Sequence, residues 1–384
     1  MIEVVSSALR TWVRPMAAAI LITAIGIGAA DAQSEPARAA DAKPIVDPLL
    51  MPASCCTSRP GSGAGGFSCY SGAGCVPGRN CDPGPCDSTF GRLMSGLYYG
   101  VCCPDPCYEP RWILEANAAF FQDSPRPVTQ TRIRWDNGFN YLFPDSSEFF
   151  WAKEKTKGPA NFTPSMKYSD LLLYQEIAAG SSASMFVEVS YRSFDAIGNP
   201  SGAGMGDMNV GAKAVLLDRE LILITSQFRT FLPTGNYRTG LGTGHTSIEP
   251  ALMAALKITP STYLQTQIAE WIPLGGTPGF AGSVFHYHIA LNQRLYQHGD
   301  FITVLANIEL NGYTFRGQFS DAPLVPGGDP VVRDMAGQTY TTLGPGFRIM
   351  FCDRADLGVG LSFRLGNNSH GPESLYRTEF RWRF

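Results

Sequence analysis

From Leu375 to Phe384 every second residue is of one kind. Tyr376, Thr378, Phe380, Trp382 and Phe384 share one parity, and Arg377, Glu379, Arg381 and Arg383 share the other. Side chains of a strand alternate between two faces, so this segment reads as a strand with one apolar and one charged face. The same period recurs towards the N-terminus. In 356–365, Leu357, Val359, Leu361, Phe363 and Leu365 oppose Gly358, Gly360, Ser362 and Arg364. In 343–351, Leu343, Phe347, Ile349 and Phe351 oppose Gly344, Gly346, Arg348 and Met350. Segment 302–310 sets Ile302, Val304, Ala306, Ile308 and Leu310 against Thr303, Asn307 and Glu309. Segment 285–294 sets Phe285, Tyr287, Ile289 and Leu291 against His286, His288, Asn292 and Arg294. Leu252 and Leu256 oppose Glu249 and Met253, and Val210 and Ala212 oppose Asn209, Gly211 and Lys213. Weaker alternation runs through 112–120, 168–178, 185–192, 221–230 and 262–272, with Glu115 and Arg229 on the polar side.

A soluble sandwich alternates too, so the connections decide. Short joints at 180–182, 218–219, 259–260, 297–300 and 352–354 alternate with longer Gly- and Pro-rich ones at 195–204, 232–246, 273–282, 316–337 and 366–374. Membrane barrels have this asymmetry. Closure also pairs every backbone group without leaving an edge in hydrocarbon. The expected fold is therefore an all-β, antiparallel up-and-down transmembrane barrel over 108–384, with about twelve strands. The first of these is expected at 112–121, followed by a long excursion over 123–165. A hairpin hidden in Arg132–Trp151 would make fourteen. Trp112, Trp271, Tyr376 and Trp382 near strand ends suit interfacial girdles, although core packing uses the same residue types.

Composition agrees. Only 16% of the 384 residues are charged, below the roughly 25% usual for soluble domains, because half of every strand must avoid charge. A net charge of −3 offers no basic face for nucleic acid. After residue 32 no run of 18 apolar residues could form a spanning helix. At the other end, Arg10 and Arg14 precede an apolar stretch from Ala17 to Ala30, and Ala30, Asp31 and Ala32 offer a cleavage site. Residues 1–32 read as a secretory signal and 33–54 as a linker. With such a signal, a terminal strand carrying Tyr376, Phe380, Trp382 and Phe384 resembles the assembly signal of bacterial outer-membrane barrels. That resemblance implies outer-membrane lipid and the barrel-assembly machinery as partners, in a Gram-negative-type envelope.

Nine of the ten cysteines fall between Cys55 and Cys107: Cys55, Cys56, Cys69, Cys75, Cys81, Cys86, Cys102, Cys103 and Cys107. Their Gly-, Ser- and Pro-rich surroundings cannot build a hydrophobic core, so disulfides are the expected staple of an exported segment. The segment contains no His and no paired CxxC knuckles, which argues against zinc. The tenth, Cys352, falls in a short joint on the periplasmic side where this segment is expected. A bridge from Cys352 would make all ten pairable; an intermolecular bridge or an unpaired segment cysteine are the alternatives.

Gly204, Gly206 and Asp207 lead into Asn209, Val210, Gly211, Ala212 and Lys213, followed by Leu232, Pro233, Thr234, Gly235, Gly242, Thr243 and Gly244. This pattern resembles the outer-membrane barrel family named for the meta-pathway of phenol degradation, over about 200–275. The resemblance implies transport. Read physically, these residues are turn punctuation, with Asp207 placed to bind loop amides.

The expected function is a narrow channel or transporter for small solutes, hydrophobic or aromatic ones included. Barrels of eight strands are filled by side chains and those of sixteen leave an aqueous pore. The lumen-facing candidates are Glu115, Lys213, Arg229, Glu249, His286, His288, Arg294, Glu309, Arg348, Arg364 and Arg381. Their Arg excess either favours anions or braces the barrel through ion pairs. Segment 123–165, with Phe139, Tyr141, Phe143, Phe149, Phe150 and Trp151, is either a constriction or an ordinary external loop. His286 and His288 share a face but lack a third ligand, so no metal and no cofactor are assigned. The alternative function is a structural envelope protein whose barrel anchors the Cys-rich segment. A barrel enzyme is the third reading. His245 and Ser247 are its nearest grouping, without an evident orienting partner, and no catalytic residue is assigned.

Overall fold

The computed structural model describes residues 113–298, 301–316, 319–323, 330–352, 354–366 and 370–384. The signal, the linker, the nine cysteines Cys55–Cys107 and Trp112 lie outside them. All the described residues belong to one compact unit.

In chain order the strands are β1 (Gln130–Leu142), β2 (Ser165–Ala179), β3 (Ala183–Ala196), β4 (Gly202–Met205), β5 (Met208–Asp218), β6 (Ile222–Leu232), β7 (Ser247–Thr259) and β8 (Thr262–Pro273). They continue with β9 (Ser283–His298), β10 (Ile302–Arg316), β11 (Phe319–Pro323), β12 (Pro330–Asp334), β13 (Thr339–Phe351), β14 (Ala355–Arg364) and β15 (Ser374–Arg383). Every neighbouring pair is antiparallel, and β1 pairs with both β2 and β15, so the sheet closes on itself. Twelve strands go round the ring, because the four-residue β4 lies end to end with β5 along the same edge of β3. Strands β11 and β12 form a separate hairpin within the β10–β13 connection.

The strand count matches expectation, but the first strand does not. Ile113–Ala116 is a single helical turn, and no strand runs through 117–129. The ring instead begins at β1, one strand where a hairpin had been an option. In it Arg132, Arg134 and Asp136 alternate with Ile133, Trp135 and Asn137.

The faces are inverted relative to a soluble protein. Phe347, Ile349, Leu357, Val359, Phe380 and Trp382 point outward and are exposed, while Arg348, Asp356, Glu379 and Arg381 point inward and are buried. Leaving that many large apolar side chains in water would cost about 25 cal/mol per Å², whereas lipid makes the outward face its solvent. The ring strands of 10–16 residues meet or exceed the roughly 9–11 needed to cross a bilayer when tilted. The fold is a membrane-spanning β-barrel.

Its two ends differ as the connection lengths require. At one end the joints β2–β3, β5–β6, β7–β8, β9–β10 and β13–β14 are short turns. Gly180 adopts φ 67° in the first, and Cys352, exposed, φ 46° in the last. The long loops lie at the other end. Trp271 does not meet the girdle expectation. It stands on the inward parity of β8 with Gln265, Gln267 and Ala269 and is 2% exposed. There it packs with Val284 and Phe315 inside the barrel.

Candidate functional site

Residues 117–126 form a plug inside the barrel, entering from the short-turn end. Its neck is a reciprocal pair: Asn117 Nδ2 donates to the Arg126 carbonyl and the Arg126 amide to Asn117 Oδ1, both at 3.1 Å. Arg126 also grips Asp218 at the β5–β6 turn with bonds of 2.8 and 3.0 Å. A non-regular segment buried in a lumen needs partners for its backbone, and the strands supply them. The Phe120 and Phe121 amides donate to the two Glu309 oxygens at 2.6 and 2.9 Å. Ala119 and Asp123 donate to Gln265 and Gln267. The carbonyls of Asn117, Ala118 and Phe120 accept from Arg381, Arg348 and Arg377. The Phe120 ring lies on a bare patch of wall. A Cβ at Gly346, Gly358 or Gly360 would stand 2.6–2.7 Å from it, so the glycines make room for the ring.

Beneath this plug the C-terminal strands carry a closed ion-pair network. Asp356 accepts from Arg348, Arg381 and Arg383, and Glu379 from Arg348 at 2.9 Å. Arg132 of β1 links Glu379 to Glu188 across the ring, at 3.8 and 3.1 Å. Buried charges persist only when paired and hydrogen-bonded. Here the pairing ties strands together.

The long-loop end is capped from within. Loop 143–164 turns inward through Ser147 and Glu148, both with positive φ (61° and 51°). The Glu148 carboxylate holds that turn, accepting from the amides of Lys153 (3.1 Å) and Thr277 (2.9 Å). Its rings fill the mouth: Phe149 meets Trp271 at 5.3 Å and Phe150 lies 3.8 Å from the Arg192 guanidinium. Trp151 packs on Phe194 and on Gly240, where φ 76° and the ring together demand glycine. Thus 143–164 constricts the lumen.

The three glycine-rich motifs converge on one carboxylate. Asp207 Oδ1 accepts from the Gly235 amide at 2.9 Å, and Oδ2 from the Thr243 amide (2.8 Å) and hydroxyl (3.0 Å). Thr234 Oγ1 donates to the Gly206 carbonyl at 3.0 Å.

His245 and Ser247 also acquire the partner their sequence did not reveal. Ser247 Oγ lies 3.2 Å from His245 Nδ1, and Glu148 Oε2 lies 3.6 Å from Nε2. Burial holds the imidazole below its usual pKa despite that carboxylate. Ser247 is completely buried, and the trio forms a polar junction between loop and wall.

Between plug and loop 143–164 remains a cavity of about 320 Å³, reached by Asp123, Glu188, Arg229, Glu249, His286 and Arg377 among others. A second cavity of about 110 Å³ shares its rings Phe121, Phe149, Phe150 and Tyr313.

The sequence candidates distribute as follows. Lys213 donates to Glu176 at 3.2 Å, and Arg229 to Asp123 of the plug at 2.7 Å. Glu309, Arg348 and Arg381 hold the plug as described. Glu115 is not on a strand. It sits on the helical turn, where Arg294 donates to it at 3.2 Å. His286 and His288 stand with ring centroids 6.2 Å apart, and His288 pairs with Asn311 at 2.8 Å. Arg364 is half-buried at the end of β14 near the long loops. Sequence reasoning missed Asp123, Arg134, Asp136, Asp170 and Arg192. The last two form a bidentate pair at 2.8 and 2.7 Å. Alternation through 130–136 was the available signal for Arg134 and Asp136.

Neither a protein-family model nor a curated protein matches the chain. Among solved structures, it is similar to an outer-membrane channel from Pseudomonas putida F1, with 11% identity, covering 72% of this chain and 100% of that one at a TM-score of 0.45. It is also similar to the β domain of the Bordetella autotransporter BrkA (12% identity, 67% and 100% covered, TM-score 0.41). A third is the NanC porin (7% identity, 67% and 100% covered, TM-score 0.39).

Proposed function

We propose that this chain is an outer-membrane channel of narrow bore for small solutes, with its short turns in the periplasm and its long loops outside. One observation carries the reading: a closed ring, apolar outside and charged inside, encloses a cavity bounded by a plug and an infolded loop. Charged walls with a small free volume suit passage of small solutes rather than macromolecules. Membership of the phenol meta-pathway barrels belongs to the same proposal, supported by the convergence of the Gly and Asp motifs on Asp207. Membrane fractionation with a heat-modifiability gel tests the location. Planar-bilayer recording tests the passage: small, discrete conductance steps are expected, and a preparation that stays silent under all voltages counts against the channel.

A second reading has its own observation. The plug is clamped by Glu309, Arg348, Arg377 and Arg381, so the barrel also serves as an anchor for the chain preceding residue 117. Deleting 55–107 separates the two. Unchanged conductance with a weakened envelope favours anchoring.

A further inference from the structure

The charges around the larger cavity are not equally satisfied. Six carboxylates and four guanidinium groups line it, an excess of anionic groups. Arg192 and Asp170 saturate each other, as do Arg377 and Asp136 with two bonds of 2.7 Å. Asp123 accepts from Arg229 and Gln227, Asp207 is used by its loop, and Glu188 accepts from Arg132 and Asn209 at 3.1 Å. Arg134 stands between Asp136 (3.3 Å) and Glu188 (3.7 Å). Glu249 is left. It is 4% exposed, its nearest cation is Arg229 Nη1 at 3.8 Å, the His286 ring nitrogen Nδ1 lies at 3.9 Å, and no group among the described residues donates a hydrogen bond to it. Arg229 already spends its shorter contact on Asp123. This carboxylate lines the cavity with only a long contact to a cation, so a ligand that brings a charged donor gains a short, charge-assisted hydrogen bond there.

The surroundings of Glu249 define what the ligand carries. The His286 ring beside it is boxed by Phe149 and Tyr313, with centroids at 5.1 and 4.8 Å. Those two rings are also common walls of the smaller cavity, whose lining is mostly aromatic and apolar. An anionic wall thus adjoins a ring-lined recess. Aromatic faces attract cations and stack on rings. We infer that the lumen binds a small organic ammonium with an aromatic body, its charged head against Glu249 and its ring in the recess walled by Phe149 and Tyr313. This names the solute class of the channel proposed above and rests on the lumen being accessible.

The test uses the full chain in detergent micelles and equilibrium dialysis, with protein-free micelles as the blank. Three probes share a phenylethyl body and differ in the charge of the head group: 2-phenylethylammonium, 2-phenylethanol and 3-phenylpropionate. The ammonium is expected to bind at least tenfold more tightly than either of the others. Glu249→Gln should abolish that preference, and Tyr313→Leu should weaken all three probes while preserving their order. Equal binding of the alcohol or the carboxylate overturns the inference, as does an unchanged preference in a folded E249Q protein. Should E249Q fail to give the heat-modifiable band, the probe series on the unaltered protein decides alone. Dialysis does not require conduction. Ammonium binding by a silent channel would sink the channel reading only, and conduction without ammonium preference would sink this inference only.

Discussion

Asp136 and Arg377 are register partners across the β1–β15 seam, and the guanidinium holds the carboxylate with two bonds of 2.7 Å. The pair joins the first and last strands of the ring, and the same Arg377 donates to the Phe120 carbonyl of the plug. Removing one partner of a buried pair leaves an uncompensated charge and costs about 3–5 kcal/mol. Asp136→Asn is therefore expected to lower the temperature at which the compact band converts on a heat-modifiability gel. A variant converting at the wild-type temperature would show that this pair does not hold the seam.

The plug is predicted to limit conductance. Glu309→Ala removes the acceptors for the Phe120 and Phe121 amides. Gly358→Leu reaches the same end differently, because even its Cβ would stand 2.6 Å from the Phe120 ring. Both should raise the single-channel conductance in planar bilayers. Equal conductance in both variants and wild type would place the constriction elsewhere.

The loop carrying His370 should loosen in acid. Burial, with Arg333 and Arg364 nearby, holds its imidazole down at about 4, against about 6.5 in an unfolded chain. The folded pKa is the lower one, so the neutral ring stabilises the fold fully above pH 6.5. That contribution, of the order of 3 kcal/mol, is lost as pH falls from 6.5 towards 4. Amide exchange at Gly371 and Glu373, which donate to the Leu142 and Phe139 carbonyls, should accelerate over that window. His370→Gln should remove the pH dependence; its persistence would point to another group.

Asp207 is expected to control the order of loop 233–246. Asp207→Ala deletes acceptors for the amides of Gly235 and Thr243 and for the Thr243 hydroxyl. Hydrogen bonds to charged groups contribute about 1.5–3 kcal/mol each. Limited proteolysis should then cut at Arg238 in the variant, with the strands intact. Equal resistance of both proteins would assign the loop's order to its packing instead.

What could be read in the sequence was what repeats along a strand. Glu249, Arg348 and Arg381 lie on the inward parity because period two follows from backbone geometry alone. Asp207 as a binder of loop amides was legible for a similar reason, since Gly and Pro on both sides mark turns. The plug was not. Its order comes from Glu309, Arg348, Arg377 and Arg381, far away in sequence, and weak alternation over 112–120 gave it the look of a strand. That same reading hid β1. Trp271 looked like a girdle residue because aromatics serve lipid interfaces and lumen packing equally; only the parity of β8 separates them. The Ser247–His245–Glu148 junction needs a loop to fold inward past a left-handed turn, which local pattern does not encode.

The plug also has a consequence for the order of assembly. Residues 117–126 emerge before every strand, yet the Arg side chains that hold their carbonyls arrive 230 to 264 positions later. Contacts of such separation are slow to form, because the entropy of closing the intervening chain comes due first. The amide contacts to Gln265, Gln267 and Glu309 can form earlier, but the carbonyl contacts wait for β13 and β15. Arg348 and Arg381 meet Asp356 and Glu379 within the C-terminal strands, so the wall that receives the plug's carbonyls is complete only when the last strands of the ring have paired.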